Sequence, residues 1–477
     1  MSPDPCRAGL AAAGSDGPLP LSAAQQEVWF AHQLDAGGAF HNCGGHIEFH
    51  GRLEEAHLAE AVRRAVGETD ALRVRFAADA KGTPRQWPAD VDAPLRVRDF
   101  GDENEPRRAA EEWVRADLGT PVDLEKGELF THTLLRLAPD HFLFHLRYHH
   151  IVLDGYGQVL HWRRLAQIYA ALTEGVTVSP TSAGTLRDLL AEEAEYRASA
   201  ALESDRAHWL SSVGDWPDRI SLSHRGVGTS RPAERFPASV PVGRINETAA
   251  KYWVPWSVVV LASTAAYLHR ITRREDIVIG LPVRARTTRT ALTTPGMLAN
   301  VLPLRLSVRS DMPFRDLVRQ VSAQVSEVLA HQRFRGEDLQ RELRRTGAAQ
   351  EPPGVVVNVL PFDGRIAFGA LKGTLHQLSS GPVRDLSIQF LGDAEGAGLR
   401  LSFDPNPDLH DAAAVAAHRD QLASFLSSLV RADEQAPVGK IEILASSEQS
   451  LTASANRPPP GDRRVLPSNA TYFAKDA

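Results

Sequence analysis

Cysteine is scarce: the 477-residue chain has two, Cys6 and Cys43. Two thiols that far apart supply neither a metal quartet nor a CxxC redox pair, and they exclude a disulfide-stapled mini-protein. A reducing, cytoplasmic setting is the default expectation. Long apolar runs are missing as well. The most apolar stretch, Trp256 to Leu268, is interrupted by Ser257, Ser263 and Thr264 and is too short to span a bilayer. Met1 to Gly17 carries Asp4, Arg7 and Asp16 and no apolar core, so no signal peptide is read there. Blocks of one charge are absent too: 53 Lys+Arg against 59 Asp+Glu leave a net charge of −6 with the signs interleaved. This speaks against a nucleic-acid surface and against a polybasic membrane patch. Lysine is rare, 6 residues against 47 arginines, a skew in the direction of a GC-rich bacterial genome.

What is present is an ordinary globular composition, 43% apolar and 23% charged, with length for two or three compact units. Residues 1–19 are rich in Gly, Pro and Ala and read as a flexible extension. Residues 446–477 contain Arg457-Pro458-Pro459-Pro460-Gly461 and read as a linker or tail. Between them strand-like and helix-like segments alternate, as in α/β or α+β architecture. Leu53 to Val66 has helical spacing and leads into the alternating Leu72-Arg73-Val74-Arg75-Phe76. The apolar helix Trp256 to His269 likewise leads into Ile277-Val278-Ile279-Gly280, so the two halves are expected to share a fold. Asp188 to Ser212 reads as one long helical segment, with the boundary between lobes near it. Pro313 to Gln332 reads as a helix with Pro in its first turn.

Phe142 to His150 alternates, with Phe142, Phe144, Leu146 and Tyr148 on one face and His145, Arg147 and His149 on the other. Ile151-Val152-Leu153-Asp154-Gly155 turns the chain, and Tyr156 to Glu174 resumes at helical period, with Gly175 as its stop. Adjacent strand residues point to opposite faces, so His149 and His150 cannot both serve one small reacting group. The Asp154 carboxylate can fold back beneath the strand or meet a cation elsewhere. Gly155 lets a ligand approach the backbone, and its N–H lies near a helix start, where a developing oxyanion is favoured. No third ligand falls at zinc spacing on the neighbouring helix, so no metal is assigned.

With His149-His150-Ile151-Val152-Leu153-Asp154-Gly155 in place, the chain resembles the condensation domains of nonribosomal peptide synthetases, within the chloramphenicol-acetyltransferase-like superfamily and its HHxxxDG motif. Leu21-Ser22-Ala23-Ala24-Gln25-Gln26-Glu27-Val28-Trp29 is similar to the family's SxAQxRLW opening, with Glu27 where Arg is usual. Leu72 to Phe76 resembles the LRTxF strand, with Thr69 and Asp70 in place of His-Glu. Ile279 to Arg286 and Gly296 to Arg305 resemble IGxPVxxR and GxFVNTLPLR. His331-Gln332 and Arg384-Asp385-Leu386-Ser387-Ile388 are similar to HQ and RDxSL. Leu186-Arg187-Asp188-Leu189 departs from YxDY, and His208-Trp209 from Tyr-Trp. The Asp pair of cyclisation relatives and the extra segment of epimerisation relatives are not found.

The resemblance implies an α/β (α+β) fold of two chloramphenicol-acetyltransferase-like lobes, residues 20–190 and 191–445, forming a V-shaped pseudo-dimer with a central tunnel. Leu281 to Asn300 would cross between lobes as a floor, and the region from Asn358 to Ser387 as a second crossing. It implies amide-bond formation. An acyl, aminoacyl or peptidyl group would pass from the 4'-phosphopantetheine thioester of a donor carrier protein to an amine or to the aminoacyl thioester of an acceptor carrier. The chain itself would bind no cofactor, act in trans as a free-standing or excised domain, and be a monomer. His150 would be the general base or the group that positions the amine, with Gly155 beside it. His149 would be structural, Asp154 would pair with Arg286, and Trp29, Tyr156, Asn358 and Ser387 would belong to the tunnel. An acyl-CoA-dependent, ester-forming O-acyltransferase and a non-catalytic recruitment module are the alternatives.

Overall fold

A computed structural model describes residues 17–443 except 36, 213–215, 226–229, 231–234, 241–242, 346–350, 361–363 and 393–398. The expected extension lies outside the described residues up to residue 16, and the tail lies wholly outside them.

The strands in chain order are β1 (Leu19–Pro20), β2 (Asn42–His50), β3 (Val74–Ala78), β4 (Pro84–Pro88), β5 (Leu95–Asp99), β6 (Phe130–Ala138) and β7 (His141–His149). They continue with β8 (Phe236–Val240), β9 (Asp276–Val283), β10 (Asn300–Ser307), β11 (Val355–Leu360), β12 (Arg365–Phe368), β13 (Leu371–Ser380), β14 (Leu386–Leu391) and β15 (Leu399–Pro405). One six-stranded sheet runs β12-β13-β2-β7-β6-β5 and the other runs β10-β9-β11-β14-β15-β8, with a small sheet β1-β4-β3 beside the first. Each large sheet is covered by helices, so the α/β architecture with two lobes stands.

The lobes have separate cores. Phe49, Phe76, Leu134, Phe144, Trp162 and Ile168 fill the first. Val259, Leu268, Ile279, Leu304, Phe390 and Phe425 belong to the second. Lobe membership does not follow sequence order. β13 pairs antiparallel with β2, and Ile366, Phe368, Leu371 and Leu375 of β12–β13 bury in the first core. Once strand pairing satisfies the backbone, burial of these side chains holds the crossing segment in place.

The single helix expected over Asp188 to Ser212 is two, Leu186–Arg197 and Ala200–Ser212. The Ser199 hydroxyl and amide both donate to the Tyr196 carbonyl (2.8 and 3.0 Å), closing the first helix and redirecting the chain so that Trp209 buries with its indole N–H on the His331 carbonyl (3.1 Å). Composition is helical on both sides of the break, and a serine hydroxyl competing for a backbone carbonyl decides where it falls. Residue 190, the expected boundary, lies inside the first of these helices.

Candidate active site

β7 ends at His149, residues 150–154 form a tight turn, and Gly155–Glu174 is a helix whose N-cap is Asp154. The Asp154 carboxylate is fully buried. It accepts from the Gly157 amide (2.7 Å), as an N-cap side chain does. It also accepts from the Leu298 and Ala299 amides (2.9 and 2.8 Å) and from Arg286, whose Nη2 reaches both carboxylate oxygens at 3.0 Å. Arg286 is 1% exposed. Its other donations go to the carbonyls of Ala291, Thr294 and Gly296 (2.6, 2.9 and 3.0 Å). Buried charges of opposite sign, here with the carboxylate fully hydrogen-bonded and only the Arg286 Nε–H without a partner among the described residues, form a lock, whereas either alone would be costly. Gly157 is required here, since a Cβ would come within 2.8 Å of the Gly296 carbonyl oxygen. Tyr156 donates its hydroxyl to the Leu292 carbonyl (3.1 Å) and lies under the Arg286 guanidinium (5.0 Å). It fastens the helix start to the 281–300 segment.

The two histidines diverge. His149 is fully buried; its Nδ1 accepts from the Ile151 amide (3.3 Å), so its Nε2 carries the proton and donates to His32 Nδ1 (3.2 Å). Burial, with His41 and His32 beside it, holds the His149 ring well below the usual histidine range. It is a neutral strut. His150 is only partly buried. Its amide donates to the His41 carbonyl (2.8 Å) and its Nδ1 to the Leu153 carbonyl (3.0 Å). A carbonyl only accepts, so Nδ1 carries the hydrogen and Nε2 presents a lone pair. Gly155 is exposed, and a Cβ there would meet nothing within 4 Å. The helix start therefore opens onto free space.

The opening segment buttresses this turn. Ser22 caps the Ala23–Gln33 helix in a capping box with Gln25, and the Gln25 side-chain amide donates to the Ile151 carbonyl (3.2 Å). Trp29 is partly buried against the first core. Glu27, the departure from the family pattern, takes Arg335 (3.3 Å), and Arg335 also donates to the Leu298 and Ala299 carbonyls (3.3 and 2.7 Å). The segment just ahead of β10 that meets Asp154 is thus held from both sides.

Asn358 on β11 and Ser387 on β14 share a face of the second sheet with Gln389 and Asp404, by register and alternation. That face meets the crossing strand: Gln389 donates to Ser380 Oγ (3.1 Å), and Arg235 joins Asp404 (2.6 Å) to the Gln377 carbonyl (2.6 Å). Sequence reasoning missed Gly381, which follows β13 with φ +91° and where a Cβ would stand 3.1 Å from the His150 ring. A Ser-Gly pair after an alternating strand signals a turn, but nothing local places it against a histidine more than two hundred residues away.

A family model for the Condensation domain matches residues 15–451. The chain belongs to the condensation-domain family. It is 36% identical over 437 residues to a dimodular nonribosomal peptide synthase of Bacillus subtilis (strain 168), covering 91% of this chain and 18% of that protein. It is 38% identical over 426 residues to an isonitrile lipopeptide synthase of Streptomyces coeruleorubidus, covering 87% and 29%. The chain thus spans well under a third of these curated relatives. Among solved structures, the first condensation domain of the calcium-dependent antibiotic synthetase, in complex with a substrate analogue, superposes with TM-score 0.84 at 36% identity, covering 91% of this chain and all of that one. The starter condensation domain of rhizomide synthetase, as a double mutant in complex with C8-CoA and Leu-SNAC, superposes with TM-score 0.84 at 33% identity, covering 90% and 98%. This condensation domain is an acyltransferase of the amide-forming kind. Among the described residues, no helix is long and apolar enough to cross a membrane.

Proposed function

We propose that this condensation domain transfers an acyl group from the phosphopantetheine thioester of a donor carrier protein to an amine, acting on carriers supplied in trans. The orientation of His150 carries the proposal, with Nδ1 committed to the Leu153 carbonyl and Nε2 free, together with the open helix start at Gly155. The amine nitrogen attacks the thioester carbon and a tetrahedral intermediate forms. Its oxyanion is met by the Gly155 N–H at the positive end of the helix. His150 Nε2 takes a proton from the attacking nitrogen and returns it to the departing thiolate as the C–S bond breaks, leaving an amide and a free thiol. His149, Asp154 and Arg286 hold the turn and do not touch the reacting atoms. Trp29 and Tyr156 are proposed as wall and anchor of the tunnel, and Asn358 and Ser387 as its far, second-lobe side.

The relatives that are lipopeptide or starter domains favour a second reading of the donor, a fatty acyl chain rather than a peptide. One assay tests both. Acyl carrier, aminoacyl carrier, free amines and acyl-CoA are offered separately and products weighed by mass spectrometry. Amide product from the carrier-bound donor, reduced about 100-fold or more in His150→Ala, supports the reading. Unaltered turnover in that variant refutes the role of His150 and favours a recruitment module; exclusive use of acyl-CoA to make an ester favours the O-acyltransferase alternative.

A further inference from the structure

The first sheet carries a second group of imidazoles that the condensation reaction does not use. Residues 46, 48 and 50 of β2 share one face with His141 and His145 of β7 and His376 of β13, because these positions are directly paired or alternate with paired ones. The group runs along the first half of β7, and His46, paired with His145, lies four strand steps and so about 13 Å from His149.

We propose that His46, Glu48 and His376 form a binding site for a divalent transition metal, zinc by the chemistry of its donors. A ring nitrogen of each histidine and a Glu48 oxygen all lie within 4.8 Å of one another. His376 Nε2 is 3.2 Å from Glu48 Oε2. Tetrahedral zinc with bonds of 2.0–2.1 Å sets its ligands about 3.3 Å apart, so this pair already has the required spacing. The independent observation is His46. It is 3% exposed, and neither ring nitrogen has a hydrogen-bond partner among the described residues. A buried imidazole without a partner carries a desolvation penalty that a metal bond would remove. Its ring stacks on His376 (centroids 4.9 Å apart), so the two nitrogens belong to one cross-strand pair. His141 lies 2.7 Å from the other Glu48 oxygen, and its Nε2–H orients the carboxylate as an outer partner does in zinc sites.

Arg107 is the competitor. It holds both Glu48 oxygens (2.6 and 3.0 Å) but also bonds Glu111 (3.2 Å), a second acceptor to which it can turn. Arg400 is a second cation acting on His376. A metal here would staple β13 to β2 next to the register shift between Gln377 and Ser379, on the strand that ends against His150. The rival trio His32, His41 and His149 is set aside because both nitrogens of His149 are already engaged.

Metal-free full-length chain is titrated with zinc chloride by calorimetry and with Co²⁺ by visible absorption. One saturable zinc site per chain is expected, with a tetrahedral Co²⁺ spectrum and a raised melting temperature. Glu48→Gln and His376→Asn should each weaken binding by roughly 100-fold. Arg107→Ala, on an exposed side chain, should tighten it about tenfold. Absence of saturable binding overturns the proposal. So does unchanged affinity in His376→Asn, weaker binding in Arg107→Ala, or loss in His41→Asn, which would place the ion on the rival trio.

Discussion

Each lobe contains an antiparallel strand pair, β6–β7 or β9–β10, followed by a turn and a long helix, yet only one of the two units carries a site. In the first, residues 150–154 end in Asp154, whose buried carboxylate caps the helix and ties it to Arg286 from beyond β9. In the second, residues 308–313 end in Pro313, which caps the Phe314–Ala330 helix with no side-chain hydrogen bond. Both turns start a helix equally well. The first adds a buried ion pair and a histidine with one free nitrogen, and the second adds neither. Architecture therefore explains the repeat, and five turn residues explain the chemistry. The surroundings differ in the same sense. The first lobe buries His41, His46, His132, His145, His149 and His161, against His269 alone among the described histidines of the second.

Acid should break this comparison most strongly. Burial lowers five of those rings, His41 and His161 to about 4, His46 to about 3, and His132 and His149 well below the ordinary value. Their folded-state values lie beneath the unfolded one near 6.5. The stability they contribute is complete above pH 6.5 and is lost as pH falls toward 4, because the unfolded chain takes up protons that the folded chain refuses. Five such groups amount to about 7 kcal/mol per pH unit below 6.5, against a total stability of roughly 5–15 kcal/mol. In the second lobe His418 also falls to about 4 but is only partly buried. Hydrogen exchange at pH 5 should therefore show the first lobe opening before the second, and equal protection of both would contradict the assignment of neutral imidazoles.

Removing the lock should convert the first unit toward the second. Arg286→Ala leaves Asp154 buried without its cation, a loss of about 3–5 kcal/mol. A denaturant titration measures this directly. The same variant should lower turnover at temperatures where it remains folded, because the Asp154 carboxylate also holds the Leu298 and Ala299 amides. A loss below 1 kcal/mol would mean that the ion pair is dispensable.

The sequence carried the strand, turn and helix of the site because each is local: alternation in Phe142 to Tyr148, an Asp-Gly step, then helical spacing. The Asp154–Arg286 pair spans 132 positions; the family motif pointed to it, and spacing alone left the partner of Asp154 open. Gly381 was not legible, since its requirement comes from the His150 ring packed against it and appears only once β13 is paired with β2. For β12–β13 the resemblance made the 358–387 region a crossing between lobes, while their alternating pattern by itself reads as a strand in either lobe. The break at Ser199 was hidden for the opposite reason: helix-favouring residues on both sides outweighed one hydroxyl.

The smallest effect concerns the backbone that turns Arg286 inward. Ala285 has φ +50°, a conformation that costs a side-chain-bearing residue about 1–2 kcal/mol. Trp253 and Arg273 adopt the same conformation (φ +56° and +57°) just past helix ends, whereas Ala285 holds it beside the lock. Glycine at 285 would relieve the strain while adding about 0.4–1 kcal/mol of unfolded-state freedom. Ala285→Gly should accordingly raise stability slightly, by about 0.5 kcal/mol, with turnover retained because Arg286 keeps its partners. A clear loss of stability would show that the neighbours of the Ala285 methyl matter more than its dihedral. A stable variant with lowered turnover would instead mean that the left-handed residue must also be stiff to keep the floor closed on Asp154.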